Sequence, residues 1–466
     1  MSLTLFPSAA NLSSPTSGVG WAVYHGAIVA ALGGLLFGFD TAVISGAEKA
    51  LGTVFQLNTF WLGFTVAVAL IGTMLGAAVI EKPTDVWGRR KTLFFLAALY
   101  FVSSLGCAVA GTWWFFIVFR FMGGVAIGGT SVVAPMYIAE ISPARLRGRL
   151  VAINQLNIVL GILLSFVSNY FIARVVSEQD SWRWMLGFVA VPSALFFVLL
   201  FGIVESPRWL AKVGRFGEAL VVLVCLGERD ADGELDKIKA SLQGDVGMDR
   251  LFQRQYLFPI FLAWAIAMFN QLSGINAVMY YAPRIFEMTG SGKDAALLET
   301  VAVGATNLLF TIAAIFLIDR FGRRNLLLVG SIGYILSLGT TAWSFAYYGG
   351  QFTSLGSIIV LSSLLVFIAS HAFGQGAVIW VFISEIFPTA VRAKGQAFGT
   401  FTHWFMAALV SWTFPVIAAQ SSAGAFAFFA SLMVLQLLFA WKIMPETKGR
   451  TLENLEKQLT KVSAMA

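Results

Sequence analysis

Apolar runs of about 20 residues, separated by short polar clusters, recur along most of the 466-residue chain. Each run is long enough to cross a bilayer core of roughly 30 Å as a helix. Twelve such helices are predicted, near 22–45, 58–80, 92–112, 114–140, 151–174, 184–204, 256–282, 299–318, 325–347, 356–384, 396–418 and 423–443. A longer polar stretch, Glu205 to Gln255, divides them six and six. Its "DADGELDKIKASL" mixes charges with Leu and Ile as short amphipathic helices do. The pattern predicts an all-α polytopic membrane protein. Its parts are a flexible N-terminal tail (1–21), a six-helix half (22–204), a linker (205–255), a second six-helix half (256–443) and a C-terminal tail (444–466).

Composition agrees, with 58% hydrophobic and 12% charged residues, where a soluble domain carries roughly 25% charge. Met1 to Gly20 has no Lys or Arg and does not read as a cleaved signal, so the first run is expected to stay in place as a span. Placing both termini in the cytoplasm puts 25 Lys and Arg residues inside. Five fall outside (Lys49, Arg174, Arg183, Arg284, Lys293) and one, Arg120, falls within a span. That asymmetry sets the orientation by the positive-inside rule. It also accounts for the net charge of +7 without nucleic acid as a partner. Cys107 and Cys225 fall in a span and in the linker, so no disulfide is expected. His25, His371 and His403 are scattered, and no nucleophile–base pair or metal-ligand cluster appears, so neither an enzyme nor a metal site is expected.

The two halves repeat. "DVWGRR" from Asp85 returns as "DRFGRR" from Asp319, 234 residues later. "AEISPARLRG" from Ala139 returns as "SEIFPTAVRAKG" from Ser384, the glutamates being 245 apart, and "ESPR" from Glu205 has a weaker echo in "ETKGR" from Glu446. Three matches in one order at nearly one spacing argue for duplication, with a binding site expected near the midplane between the halves.

Other stretches carry a specific resemblance: "RFMGGVAIGG" from Arg120, "PMYIAEISPARLRGRL" from Pro135, "ESPRWL" from Glu205, "NQLSGINAVMYYAP" from Asn270 and "PETKGRTLE" from Pro445. In these motifs the chain resembles the sugar porter family of the major facilitator superfamily, through nearly all of residues 21–455. The resemblance implies that fold, location in the cell (inner or plasma) membrane, a small-molecule sugar and the lipid bilayer as partners, a monomer, and no cofactor beyond a coupling proton. It also implies a sugar in the central cavity, with Gln155, Gln271, Asn276 and Asn307 as hydrogen-bonding candidates and Phe37, Gly376, Trp380 and Trp404 as wall. Carboxamides both donate and accept, as sugar hydroxyls do, and they carry no charge to desolvate. Amides within spans also hold helices together. His403 stands where an Asn or Gln is common and is read either as a sugar ligand or as a packed imidazole. Further departures are Asn270 for the first of two glutamines, Ala377 for a helix-kinking proline, and Glu81 for a loop glycine.

Carboxylates near arginines mark the cytoplasmic span ends: Asp85 with Arg89 and Arg90, Glu140 with Arg145 and Arg147, Glu205 with Arg208, Asp319 with Arg323 and Arg324, and Glu385 with Arg392. The family reading is a latch that pairs across the halves when the outside is open. Charges at membrane edges also follow from solvation and the positive-inside rule, which accounts for the arginines better than for acids at matching sites in both halves. Gly34 with Gly38 and Gly124 with Gly128 suit close helix packing.

Away from their ends, the spans hold one acid, Asp40 in "LLFGFDTAVISG", and one strong base, Arg120. An ionised carboxylate at a membrane helix centre costs roughly 2.5–3.5 kcal/mol on insertion scales. A permanent ion pair that only fixes packing is one reading, and proton coupling is the other. Desolvation and a guanidinium push a carboxylate's affinity for protons in opposite directions, so movement relative to Arg120 would load and unload Asp40. The resemblance favours coupling, since proton-driven members usually carry aspartate here and facilitative ones a neutral residue. The expected function is proton-coupled monosaccharide import by alternating access. The alternatives are a facilitative sugar uniporter and a non-transporting sugar sensor.

Overall fold

The computed structural model describes residues 20–143, 145–243, 250–388, 390–450, 455 and 459. The expected N-terminal tail through residue 19, and most of the expected C-terminal tail, lie outside the described residues. Among the described residues, twelve helices are long and apolar enough to cross a membrane. Spans 1 to 6 are Trp21–Val54, Thr59–Val79, Arg89–Ala108, Trp113–Ile141, Arg147–Val175 and Ser181–Gly202. Spans 7 to 12 are Arg254–Met288, Lys293–Ile318, Arg323–Tyr348, Ser354–Ile386, Arg392–Gln420 and Ser422–Lys442.

Most ends fall within a few residues of those predicted. Span 1 runs nine residues past its expected end at 45, to Val54. Hydropathy falls at Glu48 and Lys49, but Ala, Glu, Lys and Leu are good helix formers. Glu48 is also 1% exposed, because it faces Arg284 of the other half.

Two spans are broken. Span 7 consists of Leu257–Leu272 and Ile275–Met288, joined at Gly274 with φ +81°. A Cβ there would meet the Phe429 ring at 2.6 Å, so the left-handed conformation and the close approach both require glycine. Span 10 breaks between Ser354–Phe373 and Gln375–Ile386. Ala377 replaces the expected proline, yet the break occurs three residues earlier, at Gly374 (φ −88°, ψ −103°), where Gly330 of span 9 packs against it.

The internal repeat is also a repeat of contacts. Glu205 accepts from the backbone N–H groups of Arg89 (3.0 Å) and Arg90 (3.1 Å) at the start of span 3. Glu446 accepts from those of Arg323 (3.0 Å) and Arg324 (3.0 Å) at the start of span 9. Each carboxylate thus satisfies otherwise unpaired amides at a helix N-terminus, where the dipole favours negative charge.

The glycine pairs pack helices as expected. A Cβ on Gly38 would overlap the Ile158 carbonyl of span 5, and one on Gly124 or Gly128 would overlap Ala69 or Thr73 of span 2. Between the halves lie three helices, Pro207–Lys212, Phe216–Cys225 and Ala231–Gln243. They share a small core of Trp209, Leu210, Leu223, Leu235 and Ile238. The Trp209 indole N–H donates to the Asp85 carbonyl (2.8 Å), tying this core to the short helix Glu81–Trp87 before span 3.

Candidate functional site

Asp40 and Arg120, 80 residues apart in sequence, meet inside the first half. Arg120 Nη1 lies 2.9 Å from both carboxylate oxygens of Asp40, and Nη2 donates to the Asp40 backbone carbonyl at 2.8 Å. The residues are 3% and 2% exposed. Spans 1 and 4 converge here because Gly123, one helical turn from Arg120, leaves room beside Ser103 and the Asp40 carboxylate. The guanidinium is not saturated: among the described residues its Nε has no hydrogen-bond partner.

A second cluster joins the two halves. Phe37 of span 1 and Trp404 of span 11 pack with ring centroids 5.6 Å apart. His403 lies between Trp404 (4.9 Å) and Trp380 (4.9 Å). Its ring faces the Gln271 amide, with Nε2 at 3.2 Å. Gln271 in turn accepts from Asn276 at 2.8 Å across the break in span 7. Trp380 remains 37% exposed, so this cluster of amides and rings is not sealed. It brings together Phe37, Gln271, Asn276, Trp380, His403 and Trp404. Gln155 and Asn307 are half-buried on spans 5 and 8 and, among the described residues, make no hydrogen bond to it. Gly376 backs onto His371, whose ring is held by the Tyr334 hydroxyl at 2.7 Å.

Asp85 keeps its expected neighbour Arg89, but most of the charged motifs find partners other than those expected from proximity in sequence. Arg89 takes Glu140 with Nε and Nη2, both at 2.8 Å, and Arg323 takes Glu385 at 3.2 and 2.9 Å. Asp85 meets Arg89 (3.5 Å) and Lys212 (2.8 Å). Glu205 caps span 3 rather than pairing with Arg208. Arg90 caps carbonyls of Leu200 and Phe201, and Arg324 caps those of Ala440 and Trp441. Arg147 donates to the Ala139 carbonyl and Arg392 to that of Phe387. Arg145 is exposed, and the side chain of Asp319 lies outside the described residues. None of these contacts joins a residue of 22–204 to one of 256–443.

Ion pairs do cross between the halves on the opposite face, where sequence reading had placed no site. They are Lys49–Glu287 (2.6 Å), Glu48–Arg284 (3.6 Å) and Glu178–Lys293 (2.8 Å). Nearby, the Trp412 indole N–H of span 11 donates to the Phe60 carbonyl of span 2 (3.2 Å), and Gly63 packs on the Trp412 backbone. Both signs of charge at Glu48, Lys49, Arg284 and Glu287 were visible in the sequence, but hydropathy alone does not pair them.

The chain as a whole is similar to known proteins. The model of a family described as sugar (and other) transporter matches residues 26–459. The chain belongs to this transporter family. It is 38% identical over 470 residues to the D-xylose-proton symporter of Escherichia coli, covering 92% of this chain and 94% of that protein. It is 37% identical to a glucose transport protein of Synechocystis sp., covering 92% and 95%. Among solved structures, an inward-open conformation of the E. coli xylose transporter XylE superposes with a TM-score of 0.83 at 36% identity, covering 94% of this chain and 99% of that one. The XylE structure bound to 6-bromo-6-deoxy-D-glucose gives 0.76 at 37% identity, with the same coverage. These relatives are multi-pass transporters and not enzymes.

Proposed function

We propose that the protein is a proton-coupled monosaccharide symporter of the cell membrane, importing sugar by alternating access with Asp40 as the proton carrier. The observation that carries this reading is the Asp40–Arg120 pair, an acid buried in the bundle and held by a single guanidinium. Arg120 keeps its proton under all working conditions and acts as a fixed counter-charge. When motion draws Arg120 away, an ionised carboxylate in that surrounding is costly and takes a proton. When Arg120 returns, the proton leaves. The chain's similarity to the D-xylose-proton symporter supports the same reading.

Gln271 and Asn276 bond the sugar's hydroxyls, Phe37, Trp380 and Trp404 cover its C–H faces, and His403 holds Gln271 against the wall. Gln155 and Asn307 join from spans 5 and 8 when the halves close. Residues 22–204 and 256–443 then move as two bodies about the site, with 205–255 as their cytoplasmic connection and both termini inside. The face carrying Arg89 and Arg323 is cytoplasmic. With Lys49–Glu287, Glu48–Arg284 and Glu178–Lys293 spanning the halves on the other face, the present state is closed outside and open inside. The match to the inward-open XylE structure supports this. In the outward-open state, Asp85, Glu140, Glu385 and their arginines exchange these contacts within each half for contacts across the halves. One chain holds the whole pathway, so the working unit is the monomer. Sugar-linked proton movement in proteoliposomes, compared between the wild type and Asp40→Asn, tests the proposal.

A further inference from the structure

Asn276 begins a run of side-chain hydrogen bonds that leaves the sugar cluster and passes through four spans. Its Nδ2 donates to Gln271 Oε1 (2.8 Å), and Gln271 Nε2 donates to Asn270 Oδ1 (2.9 Å). Asn270 Nδ2 donates to Gln375 Oε1 (3.5 Å), and Gln375 Nε2 donates to Gln436 Oε1 (3.0 Å). Gln436 Nε2 donates to Ser331 Oγ (2.8 Å), whose hydroxyl donates to the Leu327 carbonyl (2.7 Å). Asn276, Gln271 and Asn270 belong to span 7, while Gln375 opens the second piece of span 10. Gln436 lies on span 12 and Ser331 on span 9.

Every amide in the run donates in the same direction. A carboxamide has a donor end and an acceptor end, so reversing one of them sets N–H against N–H on one side and oxygen against oxygen on the other. Gln375, Gln436 and Ser331 are 0% exposed, Gln271 is 1% and Asn270 is 2%. Water cannot repair a reversed link there, and a buried polar group left unpaired is costly. The run ends on a backbone carbonyl, which only accepts. Its polarity at that buried end therefore carries back to Asn276, whose Oδ1 is left as an acceptor for a hydroxyl. The run also gives a role to Asn270, the departure from the family's paired glutamines. It is a link of the run, buried and turned toward Gln375.

We propose that Gln375, Gln436 and Ser331 are positioning residues that set which end of each sugar-facing amide is offered to the ligand, and thereby set sugar selectivity. None of the three belongs to the sugar-facing cluster, and all are fully enclosed by protein. The proposal rests on Gln271 and Asn276 binding the sugar, as argued above. It assigns part of the selectivity to spans 9 and 12, outside the cavity.

The test uses the purified full-length protein and measures binding of D-xylose, D-glucose and their monodeoxy analogues to the wild type, Gln271→Ala, Ser331→Ala and Gln436→Leu. Unfolding temperature without sugar is recorded in parallel. Gln271→Ala is expected to weaken binding. Ser331→Ala and Gln436→Leu are expected to weaken the best-bound sugar by about five- to tenfold, the worth of one hydrogen bond. They should also shrink its preference over the analogue lacking the recognised hydroxyl. Ser331→Ala removes one oxygen and keeps the fold, so it decides the matter if Gln436→Leu unfolds. Uniform weakening with preferences unchanged, or wild-type binding alongside a weakened Gln271→Ala, overturns the positioning role. Wild-type binding by Gln271→Ala overturns the sugar site itself, and this inference with it.

Discussion

Lys49 of span 1 sits 2.6 Å from Glu287 of span 7, an ion pair joining the two halves on the face away from the repeated arginine motifs. Lys49 is two-thirds exposed, and pairs of that kind contribute only about 0–1 kcal/mol each. Weak clasps suit a protein whose two states must stay close in energy. Lys49→Ala should move the population toward opening on this face by a few-fold at most. Distances between spin labels on spans 1 and 7 measure it; an unchanged distribution would mean that the pair does not bias the states.

The Glu178–Lys293 clasp bears on pH. The hydrogen bond and charge of Lys293 hold the Glu178 carboxyl below its ordinary value of 4.5. Its contribution to closure is therefore present above that value and lost only as pH falls through the lowered one. Between pH 8 and 5 this clasp stays ionised. Wild type and Glu178→Gln should therefore show pH profiles of label distance with the same shape over that range, and a profile whose shape the substitution alters would contradict this.

Glu205 and Glu446 predict a matched pair of lesions. Each satisfies two or more backbone N–H groups at the start of a span. Replacing either by Ala leaves those donors unpaired, at about 1–3 kcal/mol. Thermal unfolding of the purified variants should show losses of similar size. A large loss from one and none from the other would break the equivalence of the halves.

Gly274 links backbone geometry to binding. Gly274→Ala places a side chain at φ +81° and against Phe429. The left-handed conformation alone costs about 1 kcal/mol or more. Because Gln271 and Asn276 flank the break, sugar affinity should fall together with stability. Calorimetry checks this, and unaltered affinity would separate the break from the site.

The spans, the repeat and the Asp40–Arg120 pairing were legible in the sequence, because apolar length and a lone acid opposite a lone base are one-dimensional signals. Span 1 outran its hydropathy because burial of Glu48 depends on Arg284, 236 positions away in the chain. Span 10, read from the sequence as one run over 356–384 with Ala377 in place of a helix-kinking proline, is broken at Gly374, where Gly330 crosses closely. Glutamate partners were read from neighbours in sequence. Arg89 reaches Glu140 and Glu205 meets backbone amides because folding brings the starts and ends of different spans together. Gln375 and Gln436 were visible as amides in apolar spans, but their shared direction exists only in three dimensions.

The most direct test of the account is sugar transport by proteoliposomes with and without an imposed proton gradient, for wild type and Asp40→Asn. The account predicts sugar-linked proton uptake and gradient-driven accumulation in the wild type. In the variant both should be lost while sugar counterflow persists. Equal, gradient-independent uptake by both proteins would contradict proton coupling through Asp40. Sugar binding without transport in either would contradict transport itself.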